Sequence, residues 1–493
     1  MRYNAAAWLL DRHLEAGEGG RTAVVCRGEQ LTYAELQDKV WRVQGALREL
    51  GVRRTERVAL VVDDEPLFLA WFLGALRSGV IPVPISTMGT PDDAARVVDD
   101  AVAEVVVVSP RHEGRASGAR ATVVGWGEFT DVTEEPVAPT TEDSPAFWLY
   151  SSGTTGRPKG VMHAHAALEA TATTYARTVL GVTRDDRCLS VAKLFFAYGL
   201  GNSLTFPLSV GATTVLCPDP PTPAGMSALA AAEGATVFGA SPGFLAAMLD
   251  AGVDPGSFAT VRVVTSAGEA LPADLHRRFT ERFGIPLLDG IGTTEALHIF
   301  LSNRVGAERP GTSGTPVDGY ELELRDEQDR VLDGMGTPGC LHVKGPSLAT
   351  GYWSRTAETR AAFRGEWLRT GDVYERTDDG GWGFLGRNND MIKAGGIWVS
   401  PAEVEAVLVE HPDVLEAAVV GARDAQGLEL VVAFVIPRAG RSIDDASIER
   451  HCRQRMASFK RPRRVVVMDQ LPKTATGKIR RFALRDALAA GTA

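Results

Sequence analysis

Apolar runs that alternate with longer helical patterns restrict the fold of this sequence more than any other feature. The segment RVALVVDD (57–64) predicts a strand, PLFLAWFLGALRSG (66–79) a helix, and AEVVVVSP (103–110) another strand. Runs such as VVVV are typical of strands buried on both faces, and their alternation with helices indicates parallel sheets built from βαβ units. The sequence therefore predicts an α/β fold.

The length and a change of pattern near the C-terminus predict more than one domain. The chain has 493 residues, whereas a typical domain has about 150. Residues 111–142 are predicted to be an irregular connection. After residue 387 a Ser-Pro helix start (SPAEVEAVLVEH) is followed by two strand patterns, VLEAAVVGA and LVVAFVIP. We predict a large N-terminal domain (1–387) of βαβ-type sheets and a smaller, mobile α+β domain (388–493).

Composition and charge exclude several classes of protein. Hydrophobic residues make up 44% and charged residues 23%, as in soluble globular chains, and the net charge of -10 argues against non-specific nucleic-acid binding. The five cysteines lie far apart without a CxxC pair, so neither a zinc site nor a disulfide framework is indicated. The N-terminal segment predicts an amphipathic helix, and no apolar stretch is long enough to span a membrane. We expect a cytoplasmic protein.

The segment YSSGTTGRPKG (150–160) has the chemistry of a phosphate-binding loop. Glycines let backbone N–H groups approach an anion, the hydroxyls add donors, and the lysine balances charge. It is not a Walker A loop, because Pro158 precedes the lysine and Gly160 follows it. A mobile flap over phosphates fits better, although composition alone is also typical of a polar surface loop. The candidate phosphate-binding residues are Ser151, Ser152, Gly153, Thr154, Thr155, Gly156 and Lys159.

This loop resembles that of the adenylate-forming superfamily, which includes acyl-CoA and aryl-CoA ligases, peptide-synthetase adenylation domains and luciferases. Five further segments match in the family's order: SAGEA (266–270), DGIGTTE (289–295), RTGD (369–372), GRNNDMIKAGG (386–396) and LPKTATGKI (471–479). The resemblance covers essentially the whole chain. It implies that a carboxylate attacks the α-phosphate of ATP, giving an acyl-adenylate and pyrophosphate, and that a thiol then displaces AMP.

Joining a carboxylate to a polyanion requires cations that offset repulsion and stabilise developing charge. By resemblance, Lys478 bridges the carboxylate and the phosphate, Glu295 holds Mg²⁺ through hard carboxylate oxygen, and Thr294 contacts the α-phosphate. Without the resemblance, Lys478 is equally typical of an exposed lysine near a terminus and Glu295 of a helix start.

The resemblance also assigns the residues around the nucleoside. Asp372 is suited to accept hydrogen bonds from both ribose hydroxyls, and Arg387 is expected to make a second ribose or phosphate contact. Many relatives carry tyrosine on the adenine where this chain has Ile291, so aliphatic packing must replace ring stacking. The segment expected to surround the adenine comprises Gly268, Glu269, Ala270, Asp289, Gly290 and Ile291.

Two segments, 192–212 and 293–304, resemble the benzoate:CoA ligase branch. A flat aryl acid calls for an apolar slot with few polar groups, and His298 is expected to close it. Taken alone, such an aromatic and glycine-rich run is more often core than pocket. The resemblance places the following residues around the acid: Phe196, Ala197, Tyr198, Gly199, Ile291, Gly292 and His298.

The second half-reaction implies movement of the small domain, because one lysine cannot occupy the phosphate site while a pantetheine arm reaches the same carbonyl. By resemblance, the hinge falls at Asn389, where relatives usually carry Asp or Lys. Gly395 and Gly396 would leave room for the thiol arm, with Lys393 and Trp398 lining its tunnel. The Gly-Gly pair is also typical of a hairpin turn.

Together these features predict an ATP-, Mg²⁺- and coenzyme A-dependent aryl-CoA ligase acting on benzoate or a substituted benzoate. One alternative is a stand-alone adenylation enzyme that loads an aryl group onto a carrier protein. A more remote alternative is a non-catalytic nucleotide-binding protein, which would have little reason to retain Lys478, Glu295, Asp372 and Arg387 together. We expect no nucleic-acid or membrane partner, and a monomer or a homodimer.

Overall fold

A computed structural model of the chain describes residues 2–115, 122–125, 134–152, 158–388, 390–394, 397–423, 429–473 and 479–490. Its largest sheet has six parallel strands at the centre and antiparallel strands at both edges. In spatial order the strands are Thr315–Pro316, Ile299–Ser302, Leu287–Gly292, Val263–Ser266, Val237–Ala240, Arg187–Ser190, Thr213–Leu216, Thr22–Cys26 and Glu29–Thr32.

A second sheet of four parallel strands confirms the predicted βαβ organisation. Its strands, in spatial order, are Ile81–Pro84, Arg57–Val61, Val105–Val108 and Thr122–Gly125. The predicted helix is present at Pro66–Ser78: proline occupies its first turn and Gly79 ends it with φ 70°. The α/β class is confirmed.

One expectation about the connection at 111–142 was wrong. Within it, Thr122–Gly125 forms a strand that pairs in parallel with Val105–Val108. The local pattern is too short to predict a strand, and the open backbone groups of the neighbouring strand decide its conformation.

Two antiparallel sheets complete the larger part of the chain. The first places Gly351–Tyr352 and Pro145–Ser152 on either side of Pro158–Ala164. The second has five strands. In it Trp367–Arg376 pairs with Gly339–Lys344, Phe363–Arg364 and Trp382–Arg387, and Glu321–Arg325 pairs with the far side of Gly339–Lys344. An apolar cluster that includes Phe300, Leu341 and Tyr374 joins this sheet to the edge of the nine-stranded sheet.

The C-terminal part is a smaller α+β unit, as predicted. Ile392–Ala394 and Ile397–Val399 form an antiparallel pair, and Val414–Arg423, Glu429–Pro437 and Arg464–Val467 form a three-stranded sheet. The helix Pro401–Val409 starts where its sequence indicates, with the Ser400 side chain accepting a hydrogen bond from the backbone N–H of Glu403.

The helices lie between and around these sheets. The α-helices are Arg12–Glu15, Tyr33–Glu49, Pro66–Ser78, Pro91–Ala101, Ala166–Thr171, Ala197–Leu200, Phe206–Leu208, Pro223–Glu233, Pro242–Asp250, Ala273–Phe283, Thr356–Ala362, Pro401–Val409, Asp445–Arg455 and Arg481–Ala489. Wider π-helical turns occupy Ala7–Asp11, Ala172–Ala176 and Gly201–Thr205, and 3₁₀ turns occupy Pro110–His112, Pro255–Phe258, Thr294–Ala296 and Ser458–Lys460. Across the described ranges, every helix is too short or too polar to cross a bilayer.

Candidate active site

The two ends of the predicted phosphate loop lie on paired strands. Ser151 is opposite Lys159, and Ser152 is opposite Pro158, in the antiparallel pair of Pro145–Ser152 with Pro158–Ala164. The loop tip, comprising Gly153, Thr154, Thr155, Gly156 and Arg157, lies outside the described residues. The ammonium of Lys159 lies 5.1 Å from the ring centre of Tyr352, a cation–π contact.

The predicted metal ligand lies on a single 3₁₀ turn, Thr294–Ala296, directly after a central strand. The side chain of Thr293 caps this turn by accepting a hydrogen bond from the N–H of Ala296, 3.1 Å away. Glu295 is half-buried, and its Oε1 accepts a hydrogen bond of 2.8 Å from the hydroxyl of Tyr352. Sequence reasoning missed Tyr352, although its position in a GY pair close to a turn was visible.

Neighbouring segments hold the backbone of this turn from both sides. The buried ring of His163 donates through Nε2 to the carbonyl of Thr294 at 2.9 Å, and the N–H of Ala349 donates to the carbonyl of Glu295 at 2.8 Å. Burial lowers the pKa of His163 to about 4, so its imidazole is neutral near pH 7. The turn that carries Thr294 and Glu295 is therefore fixed to the strand that carries Lys159.

Asp289 and Gly290 lie on the central strand Leu287–Gly292, and Gly268 opens the loop after the neighbouring strand with a φ of 100°. This left-handed conformation favours glycine. Asp289 is buried, and its Oδ1 accepts no hydrogen bond from the part of the chain that the structure describes. Burial raises the pKa of Asp289 well above its ordinary value. An unsatisfied buried acceptor of this kind fits an amino group supplied by a ligand.

The two predicted ribose ligands form an ion pair with each other. Asp372 and Arg387 are opposite one another on paired strands, and Arg387 Nε lies 2.8 Å from Asp372 Oδ1. Arg387 also donates to the carbonyl of Thr370 at 3.1 Å. The charge of Asp372 is the main reason that the pKa of Arg387 is raised. Their pairing was not predicted, because it depends on the register of two strands.

His298, which is expected to close the aryl slot, lies among aromatic rings. Its ring is buried and lies 5.4 Å from that of Tyr198, 5.3 Å from that of Tyr175 and 4.5 Å from that of Phe206. Burial lowers the pKa of His298 to about 3, so the imidazole is neutral at physiological pH. Tyr175 and Phe206 were missed, because their sequence pattern is that of ordinary helical core residues.

The other predicted slot residues differ in their packing: some lie against the apolar cluster of Tyr198, and others pack elsewhere. Ile291 packs against the same apolar cluster as Tyr198, and a Cβ at Gly292 would lie 2.3 Å from the carbonyl oxygen of His298, so the close approach of the two backbones requires glycine there. Phe196, in contrast, contacts the ring of Phe195 at 4.5 Å, and Ala197 packs against the core formed with the N-terminal helices. Gly199 is also closely packed, since a Cβ there would lie 2.1 Å from the carbonyl oxygen of Lys193.

The predicted catalytic lysine, hinge and glycine pair (Lys478, Asn389, Gly395 and Gly396) all lie outside the described residues, as do the side chains of Lys393 and Trp398. The chain on either side of each can be described. Lys393 is opposite Trp398, and Ala394 opposite Ile397, in an antiparallel pair. Lys473 and Ile479 form an antiparallel bridge, so both ends of the segment 474–478 lie together.

An ionic cluster follows this segment. Arg481 donates to both carboxylate oxygens of Glu405 at 2.7 Å, and Arg485 donates to Asp390 at 2.8 Å. Burial lowers the pKa of Arg481, but the charges of Glu405, Asp390 and Glu269 outweigh this effect and raise the pKa overall. Glu269 belongs to the predicted adenine loop, so charges from both parts of the chain meet at Arg481.

Comparison with known proteins shows which family this chain belongs to. Residues 10–353 match the family model described as AMP-binding enzyme, and residues 403–478 match that of the AMP-binding enzyme C-terminal domain. The benzoate–CoA ligase of Thauera aromatica is 44% identical over 99% of this chain and 96% of its own length.

Solved structures give the same result. The crystal structure of a benzoate CoA ligase from Burkholderia xenovorans LB400 is 42% identical, with a TM-score of 0.90 over 98% of this chain and 100% of that one. An anthranilate CoA ligase in complex with anthranoyl-AMP is 36% identical, with a TM-score of 0.94 over 99% of this chain and 98% of that one. The chain therefore belongs to the AMP-binding enzymes of the adenylate-forming superfamily, and within it is similar to benzoate–CoA ligases.

Proposed function

We propose that this protein is an AMP-forming aryl-CoA ligase that adenylates benzoate or a small-substituted benzoate and transfers the aryl group to coenzyme A. The observation that carries the proposal is the neutral, buried His298 among aromatic rings, four residues from the start of the Thr294–Ala296 turn. Aromatic surroundings of this kind favour a flat ring as the ligand, and the adjacent turn would offer the groups needed at the carboxylate and the phosphate.

In the first half-reaction, we assign the α-phosphate to Thr294 and the outer phosphates to the loop 151–159, with Lys478 stabilising charge between carboxylate and phosphate. Within the described residues, no group of three or more His, Cys, Asp or Glu could hold a metal ion. Glu295 would therefore hold Mg²⁺ as a single carboxylate alongside phosphate oxygens and water, which is usual for Mg²⁺ with nucleotides. Bound Mg²⁺ would neutralise phosphate charge.

For the nucleoside, we propose that Asp289 accepts from the adenine amino group and that Asp372 accepts from the ribose hydroxyls. The unsatisfied, buried Oδ1 of Asp289 supports its assignment. The ion pair with Arg387 supports the assignment of Asp372 to the ribose, because it holds the Asp372 carboxylate in one orientation on its strand. Ile291 and the loop Gly268–Glu269–Ala270 would pack against the base.

In the second half-reaction, we propose that residues 388–493 rotate about Asn389 relative to residues 1–387, and that residues 393–398 then line the path of the thiol. The antiparallel pairing of Ala394 with Ile397 supports this assignment, because the two glycines between them have no side chains that could obstruct the thiol arm. With Asn389 in place of Asp or Lys, the pivot position would be kept without the charge interaction that those residues provide.

The test is AMP release across benzoate, aminobenzoates, hydroxybenzoates, cinnamate, acetate and hexanoate, with and without coenzyme A. Benzoate and small-substituted benzoates should exceed acetate and hexanoate in kcat/KM by about two orders of magnitude. Acetate forfeits the burial of the ring, which contributes roughly 25 cal/mol for each Å² of apolar surface, and a long chain is excluded because Phe196 and His298 are expected to close the far end of the slot. If hexanoate or cinnamate leads, the aryl-slot assignment is wrong. Adenylate that free coenzyme A does not discharge would favour carrier-protein loading, and absence of pyrophosphate exchange would favour a binding protein.

A further inference from the structure

Tyr352 lies between the strand of the phosphate loop and the turn of the predicted metal ligand. It belongs to the two-residue strand Gly351–Tyr352, in which Tyr352 is opposite Val161 on the strand that carries Lys159. The bonds on either side extend this pairing: Thr350 N–H donates to the Met162 carbonyl at 2.9 Å, and Trp353 N–H donates to that of Gly160 at 2.8 Å. The backbone of Tyr352 is thus fixed to the loop strand.

The same stretch of chain also holds the turn of Glu295. Besides the bond from Ala349 N–H to the Glu295 carbonyl, the hydroxyl of Ser347 donates to the Ala296 carbonyl at 2.6 Å. The Glu295 main chain therefore cannot move independently of Tyr352. The remaining freedom is that of the Glu295 side chain, whose terminal torsion is broad.

The hydroxyl of Tyr352 restricts the Glu295 side chain by a hydrogen bond. It donates to Glu295 Oε1 at 2.8 Å, and only 8% of the surface of Tyr352 is exposed. A phenol is protonated near pH 7, so the Tyr352 hydroxyl is the donor and the Glu295 carboxylate the acceptor. Fixing one carboxylate oxygen orients the other.

We infer that Tyr352 is a positioning residue, which holds the Glu295 carboxylate in the orientation in which it binds the metal ion of the nucleotide. The inference rests on the proposed function, because it requires Glu295 to be the metal ligand. Removing a group that hydrogen-bonds to a metal-binding side chain generally lowers the metal affinity about 10- to 100-fold. The aromatic ring has a separate contact, with the ammonium of Lys159, that does not involve the hydroxyl.

The experiment uses Tyr352→Phe, which removes the hydroxyl and keeps the ring beside Lys159. ATP binding is titrated calorimetrically at a series of Mg²⁺ concentrations and again in EDTA, with no acid present. The apparent affinity for Mg²⁺ in the presence of ATP should fall about 10-fold or more, while metal-free ATP binding should stay unchanged. Thioester formation from synthetic benzoyl-adenylate, which needs no metal at Glu295, should also stay unchanged.

Tyr33→Phe is the matched control, because it removes another buried hydroxyl, which donates to the Ala212 carbonyl at 2.7 Å in a remote part of the core. Its Mg²⁺ dependence should equal that of the wild type. A double-mutant cycle adds a second criterion: in a Glu295→Gln background, Tyr352→Phe should cause no further loss of Mg²⁺ affinity.

An unchanged Mg²⁺ dependence in Tyr352→Phe, or an equal loss of metal-free ATP binding, overturns the inference while leaving the proposed function standing. An additive double mutant overturns it as well. If the wild-type protein binds ATP without any dependence on Mg²⁺, both the assignment of Glu295 and this inference fail. If the acid panel instead selects another acid while these titrations behave as expected, the aryl assignment alone fails.

Discussion

Two regions of the candidate site are held by different kinds of contact. In the large domain, Glu295 and His298 lie on a short stretch whose backbone is hydrogen-bonded to two other segments and whose neighbours are buried rings. Next to segment 474–478, apolar packing around Leu471 and Leu484 is combined with ion pairs, such as that of Arg481 with Glu405. Close packing permits one arrangement, whereas partly exposed ion pairs can exchange partners at small cost. We infer a fixed frame in the first region and a movable part in the second.

The strongest test of this comparison removes the catalytic cation from the movable part. Lys478→Ala should lower ATP–pyrophosphate exchange at least ~10²-fold, on the scale of a lost transition-state donor. Thioester formation from supplied aryl-adenylate should remain largely intact, because the large domain keeps its slot. Lys473→Ala, which removes a lysine paired with Glu416 at 2.7 Å, is the control and should retain exchange. Exchange near the wild-type rate in Lys478→Ala would refute the role.

A smaller effect is expected from the ion pairs themselves. Arg481→Leu leaves the Glu405 carboxylate without its bidentate partner, and burial already raises the pKa of that carboxyl. We expect a loss of about 2 kcal/mol in the free energy of unfolding, between the values of buried and exposed pairs. The double variant Glu405→Leu/Arg481→Leu should regain most of it. No loss in urea titration of the single variant would mean that the pair does not stabilise this domain.

The smallest expected effect concerns acid stability in the fixed frame. The pKa of His298 is about 3 in the folded protein, below the ordinary value of 6.5, because of burial. The unfolded chain therefore binds a proton that the folded one does not, and stability is lost as pH falls from about 6.5 toward 3.

His298→Gln removes this contribution, so its free energy of unfolding should fall less steeply between pH 7 and 5, by about 1 kcal/mol for each pH unit below 6.5. Denaturant titrations at a series of pH values measure the difference. Parallel slopes for the wild type and the variant would contradict a buried neutral imidazole.

Much of the fold could be predicted from local pattern. The helix Pro66–Ser78 was predicted within one residue because proline and glycine mark its two ends, and Val105–Val108 because its apolar run permits little except a buried strand. The strand Thr122–Gly125 could not be predicted, because a neighbouring strand decides its conformation. The roles of Lys478 and Asn389 stay predictions.

By itself, the sequence determined the α/β class and the family, because periodicity and motif order are properties of neighbouring residues. Only the tertiary structure decided which distant groups meet. Tyr352 reaches Glu295 across 57 positions, and Asp372 pairs with Arg387 through strand register. Likewise, His298 is surrounded by Tyr175 and Phe206 from separate helical segments. Such contacts follow from the packing of whole elements, which fixes where each side chain ends and how its charge is satisfied.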